Sequence, residues 1–337
     1  MMKCADREIL VTGAGGFIGS HLVEELVKRG NKVRAFVRYT SMANLGLLVY
    51  LPDNIRRTIR IISGDLRDPD AVRKAADGCD VIFHLAASVA IPYSYLHPRE
   101  VLETNLMGTL NVLTAARDLK VGRVIQTSTS EVYGTAQSVP IDECHPLQGQ
   151  SPYSASKIAA DKLVQSFHRS FGIPVAVVRP FNTYGPRQSN RAVIPMIISQ
   201  GLMKNEIKLG SLEPSRDFTY VTDTVEGFIR IAEVDEALGE EVNLGTGRAI
   251  SIGDLVRMIC TLLGKESLEI IEESARLRPK ASEVWRLQAD YSKAKRLLGW
   301  EPHVSLPVGL KSTIEWITQH LDLYQANDPG VPGDLRQ

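Results

Sequence analysis

The stretch Thr12-Gly13-Ala14-Gly15-Gly16-Phe17-Ile18-Gly19 limits what this chain can fold into more than any other. It follows a short apolar run, "REILV", and opens "FIGSHLVEELVKRG", whose apolar residues recur at helical spacing before a glycine stop. Glycines at 13, 16 and 19 between a strand and a helix let backbone approach a ligand closely. They also leave the helix N-terminus, with its unpaired N–H groups, open to an anion. A tight turn would account for one glycine. Three in this setting point to a cradle for a dinucleotide pyrophosphate.

The same rhythm continues downstream. "NKVRAFV", "TIRIISGD", "CDVIFHLA", "VGRVIQTST" and "IPVAVVRP" read as further short buried strands. Between them lie the helical segments "DPDAVRKAADG", "HPREVLETNLMGTLNVLTAARDL" and "SPYSASKIAADKLVQSFHRSFG". This alternation predicts an α/β fold, a doubly wound parallel sheet of Rossmann type. After Pro180 the segments become loopier and richer in Arg, Pro and Gly, which predicts a smaller C-terminal substrate lobe. "VTDTVEGFIRIAEV" and "EEVNLGTG" are expected to rejoin the sheet. The expected division is a dinucleotide-binding domain of residues 1–180 plus about 219–245, a lobe of about 181–218 plus 246–324, and a mobile tail of 325–337.

Composition sets outer limits. The 337 residues are 44% hydrophobic, ample for a large core. Thirty-nine Lys and Arg balance 39 Asp and Glu, so no global field favours nucleic acid or an anionic membrane. No apolar run approaches the roughly 20 residues of a membrane span. The opening "MMKCADREILVTG" lacks a signal-peptide pattern, so a cytoplasmic protein is expected. Cys4, Cys79, Cys144 and Cys260 form no CxxC pair, and neither a disulfide framework nor a metal site is expected.

Redox chemistry is suggested by "SPYSASK". Ser151 can cap a helix and Pro152 can occupy its first turn, so Tyr153 and Lys157 project from one face. An ammonium beside a phenol favours phenolate, and the expectation is a lowered tyrosine pKa. Such a tyrosine can take a proton from a substrate hydroxyl, with Thr129 at the end of the fifth strand holding that oxygen. A half-buried aromatic and a surface lysine are the bland alternative. At the end of the second strand Val37 is followed by Arg38 rather than by a carboxylate. A carboxylate suits the ribose diol of NAD, whereas a guanidinium can pair with a 2′-phosphate, so NADP is favoured over NAD. Arginine-bearing segments at Arg179, Arg216 and Arg278 suit one doubly charged diphosphate.

The glycine pattern, Asp65-Leu66 after the third strand, "HLAA" at 84–87, Asn105 and the Tyr153/Lys157 pair together resemble the extended short-chain dehydrogenase/reductase family over roughly residues 8 to 320. The resemblance implies a cofactor site of Gly13, Gly16, Phe17, Ile18, Gly19, Arg38, Asp65, Leu66, Leu85, Ala86, Ala87, Asn105, Tyr153 and Lys157. It makes Thr129, Tyr153 and Lys157 the catalytic triad and His84 structural. Within the nucleotide-sugar branch it implies substrate contacts from Ser88, Thr129, Asn182, Arg187, Arg216 and Arg278. "RLLGWEP" at Trp300 reads as packing.

Glu131 in "TSTSEVYG" then selects the branch. In the family's 4-epimerases the matching position is usually small and uncharged. "TSE" resembles GDP-mannose 4,6-dehydratase, and the whole chain resembles bacterial dehydratases of GDP- or UDP-N-acetylglucosamine that feed legionaminic-acid-type pathways. The resemblance implies a nucleotide-sugar 4,6-dehydratase with an internally recycled cofactor, working as a homodimer. Glu131 would be the base, and Ser130 or protonated Glu131 the acid toward C6. UDP-glucuronate decarboxylase, which shares Thr-Ser-Glu, a 4-epimerase, and a catalytically silent NAD(P) sensor are the competing readings.

Overall fold

The computed structural model describes residues 6–277 and 279–325. The alternation of strands and helices is realised. Strands β1 (Glu8–Thr12), β2 (Lys32–Arg38), β3 (Arg60–Gly64), β4 (Val81–His84), β5 (Arg123–Thr127) and β6 (Val175–Pro180) lie in one sheet. β7 (Asn182–Tyr184), β8 (Glu206–Leu209) and β9 (Ser215–Tyr220) come next, then β10 (Glu241–Leu244), β11 (Ala249–Ser251) and β12 (Glu269–Glu272). The main sheet has seven strands in the order β10-β6-β5-β4-β1-β2-β3, all parallel. Its order reverses beside β1, which puts the switch point at the glycine turn.

Alternating apolar residues feed both faces of this sheet. Ile9, Val11, Val81, Phe83 and Ile125 pack with the helices Phe17–Lys28 and Val221–Glu233. Leu10, Ile82, Val124 and Val177 pack with the helices Pro69–Ala76, Gly108–Asp118 and Pro152–Phe171. Both faces are thus covered, as parallel sheets require.

A second core forms around β7, β9 and the helices Val193–Met203, Ile252–Leu263 and Leu306–Gln319. β7 and β9 pair in parallel, and β11 joins β9 antiparallel. β9 leads directly into the helix Val221–Glu233, so the two cores are joined by continuous secondary structure. Trp300 is buried, and its indole donates to the Asp223 carbonyl at 2.8 Å. It packs, as expected of "RLLGWEP". Residues 326–337, most of the expected tail, lie outside the described residues.

One expected helix is not continuous. The segment from Pro98 to Asp118 is interrupted by a π-helical stretch, Glu103–Met107, centred on Asn105. The reason lies in the contacts that Asn105 makes at the site. A short helix, Ile91–Leu96, has no counterpart in the sequence reading.

Candidate active site

The glycine turn is built by close backbone approach. Gly13 has φ +70°, and a Cβ there would lie 2.7 Å from the Ala86 nitrogen. A Cβ on Gly19 would lie 2.2 Å from the Gly13 carbonyl oxygen. Gly16 caps the helix Phe17–Lys28 without a side-chain hydrogen bond, and no acidic residue stands in the first turn. The first N–H groups of that helix therefore face outward with no side chain satisfying them, which fits a diphosphate. Phe17 and Ile18 are partly buried against the core below. On the neighbouring strand, Leu85 N–H donates to the Thr12 carbonyl and Ala86 N–H to the Thr12 hydroxyl, both at 3.2 Å. Ala87 follows, half-buried.

The outer rim carries charge. Arg38 is exposed at the end of β2, and no carboxylate ends that strand. Asp65, just past β3, accepts from the Arg67 backbone at 2.9 Å and from its guanidinium at 2.6 Å. The Arg67 hydrogen bonds, with the charge of Arg38 adding, hold the Asp65 carboxyl below the usual range. Leu66 is buried against Gly108.

Asn105 explains the π turn. Its Oδ1 accepts from Ser88 N–H at 2.7 Å, and its Nδ2 donates to the Ser88 carbonyl at 3.1 Å and the Ser156 hydroxyl at 2.8 Å. Both backbone groups of Ser88 are thus pinned by one side chain reaching across from a locally widened helix, a common device at functional sites. His84 lies beneath, between the hydroxyls of Thr12 (2.7 Å) and Thr109 (3.1 Å). Burial pushes it down to about 3, so the ring is neutral and structural.

The acid–base groups converge at the C-terminal end of β5. Ser151 and Ser154 form a reciprocal capping box, with Pro152 in the first turn. This fixes Tyr153 and Lys157 on the inner face of the helix, 7% and 4% exposed. The Thr129 side chain lies near enough to the Tyr153 hydroxyl to favour its ionisation. Lys157 Nζ donates to the Thr127 carbonyl at 2.6 Å. Thr129 in turn caps the turn Ser130–Tyr133, its hydroxyl accepting from Glu131 N–H at 3.2 Å. Ser130 is buried, and Glu131 is half-exposed beside Tyr153.

The expected lowering of the Tyr153 pKa is not found. Burial pushes it well above the ordinary phenol value, and the charges of Glu131 and Asp161 add to this, while the Thr129 hydrogen bond opposes them. Burial also draws Lys157 down to about 8, with Asp161 opposing. Desolvation dominates both shifts because both groups are enclosed.

Behind this pair lies a polar network that sequence reasoning missed. Asp161 is fully buried and accepts from the Ser128 hydroxyl at 2.7 Å and from Arg179 Nε and Nη2 at 3.2 Å each. Arg179, 2% exposed, also donates to the Tyr133 hydroxyl at 3.1 Å, which donates to Asn243 at 2.7 Å. Arg179 is therefore not a diphosphate ligand: it is a core residue of β6 neutralised by Asp161. The available signal was an aspartate four residues after Lys157, on the same helix face.

The remaining substrate candidates divide. Asn182 sits on β7, and its buried Oδ1 has no hydrogen-bond partner among the described residues, as a ligand-contacting amide would. Arg216, on β9, is buried and donates to the Ser215 carbonyl and to Glu283 at 3.3 Å. Arg187 does not fit the expectation. Its guanidinium binds Glu24 of the helix Phe17–Lys28 at 2.6 Å, beside His21, and so joins the lobe to the cofactor helix. Arg278 lies outside the described residues.

A family model described as GDP-mannose 4,6 dehydratase matches residues 10–313. The chain is 34% identical to the "Uncharacterized UDP-glucose epimerase YtcB" of Bacillus subtilis, over 94% of this chain and 99% of that protein. It is 32% identical to UDP-glucuronic acid decarboxylase 1 of Xenopus tropicalis, over 97% of this chain and 75% of that protein. Among solved structures, the dTDP-glucose 4,6-dehydratase DesIV of Streptomyces venezuelae, with NAD and DAU bound, superposes with a TM-score of 0.86 at 30% identity, over 94% of this chain and 99% of that one. With this fold and these matches, the chain belongs to the GDP-mannose 4,6-dehydratase-like branch of the extended short-chain dehydrogenase/reductases, the enzymes that modify nucleotide sugars.

Proposed function

We propose that this protein is a nucleotide-diphosphate-sugar 4,6-dehydratase that converts UDP- or GDP-N-acetylglucosamine to the 4-keto-6-deoxy sugar. The observation that carries the reading is Glu131. It is a half-exposed carboxylate on the turn that Thr129 opens, near enough for its charge to act on Tyr153.

Gly13, Gly16, Gly19 and the first turn of the helix Phe17–Lys28 would hold the pyrophosphate of a nicotinamide dinucleotide, with Lys157 and Tyr153 at its far end. Arg38 favours NADP, because a guanidinium at the end of β2 can pair with a 2′-phosphate. When bound, that group supplies the hydride acceptor for sugar C4 and the hydride returned to C6. Tyr153, acting through the phenolate that burial makes its minor form, takes the C4 hydroxyl proton, and Thr129 holds that oxygen. The C4 ketone acidifies the neighbouring C5–H, and Glu131 removes that proton as general base. The C6 hydroxyl leaves as water, its proton coming from protonated Glu131 or through Ser130. A proton then returns to C5, balancing the one that Tyr153 took from the C4 hydroxyl, so that the net loss is one water. Asn182, Arg216 and Arg278 would bind the diphosphate, and Ser88, pinned by Asn105, would face the sugar. A homodimer is proposed through the helices around 102–119 and 153–167, where Leu102 and Met107 are exposed.

The test is product mass from purified protein given UDP-N-acetylglucosamine, GDP-N-acetylglucosamine, UDP-glucuronate and UDP-glucose. Loss of water from either acetamido sugar supports the reading. Loss of carbon dioxide from the uronate, or an isomer of unchanged mass, replaces it with decarboxylase or epimerase.

A further inference from the structure

We propose that Asp161 is a positioning residue for the acid–base pair: it keeps the Lys157 ammonium charged and ties the Thr129-bearing end of β5 to the helix that carries Tyr153. The geometry puts one carboxylate at a three-way junction. Asp161 lies one helical turn beyond Lys157 and is fully buried. Its Oδ2 receives the Ser128 hydroxyl, from the residue between Thr127, which accepts from Lys157, and Thr129, which meets Tyr153. The same oxygen receives Arg179 of β6, whose guanidinium reaches Tyr133 and so the turn that bears Glu131. Three elements that must agree to within a fraction of an ångström for proton transfer thus share one acceptor.

Electrostatics add a second reason. Burial raises the Asp161 pKa while Arg179, the Ser128 hydroxyl and Lys157 oppose the rise, and in its charged form the carboxylate also offers its negative charge to its neighbours. Its Oδ1 is buried with no hydrogen-bond partner among the described residues, so part of that charge is not quenched locally. The charged and titratable groups facing the pair are Glu131 from the turn, Asp161 from the helix, Arg179 from β6, Tyr133 behind it and His84 from β4. Of these, Asp161 is the one that opposes the desolvation of Lys157.

The inference rests on the proposed function only where Tyr153 and Lys157 act in C4 oxidation, a step that dehydratase, epimerase and decarboxylase share. Its test therefore begins without substrate. Side-chain NMR of isotopically labelled lysine, with the Lys157 signal assigned from Lys157→Arg, follows the titration of that one group. In Asp161→Asn the Lys157 midpoint is expected about one pH unit lower than in the unaltered protein, and in Asp161→Glu near the original value. A midpoint unmoved in Asp161→Asn overturns the proposal. Because Asp161→Asn strands the Arg179 charge, Asp161→Asn/Arg179→Gln is measured beside it, and the same downward shift is expected there. With UDP-N-acetylglucosamine, GDP-N-acetylglucosamine, UDP-glucuronate and UDP-glucose each tested, the pH profile of cofactor reduction in Asp161→Asn should move as a whole to lower pH. A profile lowered in height but not displaced would mark Asp161 as merely structural and reject the proposal. Absence of turnover with every sugar, alongside the expected lysine shift, would count against the functional reading and leave the positioning role supported.

Discussion

Glu131→Gln separates the two halves of the proposed reaction, and the structure sets the sign for each. Glutamine keeps the volume, and the hydrogen bond from the Glu131 backbone N–H to the Thr129 hydroxyl is retained. Loss of a general base costs about 10²–10⁴ in the step it serves, roughly 3–5 kcal/mol in activation free energy. Water loss should slow by that factor. Oxidation at C4 should respond differently. The Glu131 carboxylate helps hold Tyr153 above its ordinary pKa, so its removal lowers the tyrosine pKa. C4 oxidation, which needs the Tyr153 phenolate, should therefore not be slowed by the substitution. Stopped-flow absorbance with UDP- or GDP-N-acetylglucosamine would record rapid build-up of reduced dinucleotide, while mass spectrometry of the sugar finds little loss of water. Full turnover to the dehydrated sugar would refute the assignment of Glu131 as base.

Gly19→Ala should abolish dinucleotide retention in native mass spectrometry, because its Cβ would lie 2.2 Å from a backbone carbonyl that cannot swing away; a normal complement of cofactor would contradict the cradle. Arg38→Glu should weaken NADP retention at least tenfold, by roughly 1.4 kcal/mol or more, and spare NAD; equal loss of both in calorimetric titration would remove Arg38 from cofactor choice. Folded His84 stays neutral down to about 3, whereas in the unfolded chain it protonates near 6.5. The unfolded state therefore binds more protons between those values, and stability should fall as pH drops through that window, by up to about 1.4 kcal/mol per unit. Denaturant midpoints measured against pH should show a shallower slope in His84→Gln, and an unchanged slope would exclude His84 as the source. Asn105→Ala should cost about 1–3 kcal/mol by calorimetry, because it strands both backbone groups of Ser88 in a half-buried loop.

The sheet is legible in the sequence because its signals are local. "REILVTG" followed by "GGFIG" specifies strand, turn and helix within a dozen residues, and β1 and the helix Phe17–Lys28 fall where that pattern puts them. The capping box at Ser151 and the Tyr153/Lys157 face are legible for the same reason. The features that escape the sequence are non-local. Arg179 looks like a loop arginine in "VVRPFN", but its character is set by Asp161, which the sequence places far away and the sheet brings within 3.2 Å. Arg187 is claimed by Glu24 across 163 residues. The π turn at Asn105 is invisible to a 3.6-residue period because it serves a contact to Ser88, 17 residues earlier. The ionisation of Tyr153 comes out opposite to expectation because spacing reveals the lysine on the same helix face but not the burial of the phenol.

The turn Ser130–Tyr133 is where reactions in such a frame can diverge. On the proposed reading Thr129, Tyr153 and Lys157 serve C4 oxidation, the step with which epimerases, decarboxylases and dehydratases alike begin. The fate of the new ketone depends on whether a further base stands beside it. Ser130, Val132 and Tyr133 are buried, and Tyr133 is bolted to Arg179 and Asn243. Glu131 is the one member of the turn left half-exposed, on a backbone its neighbours hold rigid. A side chain there can change while the backbone that carries Thr129 stays in place, and in the proposed reaction a carboxylate there meets an acidified C5–H. On the proposed reading, the commitment to lose water is carried by one side chain on a fixed turn, while the helix and strand beside it supply a first step common to several outcomes.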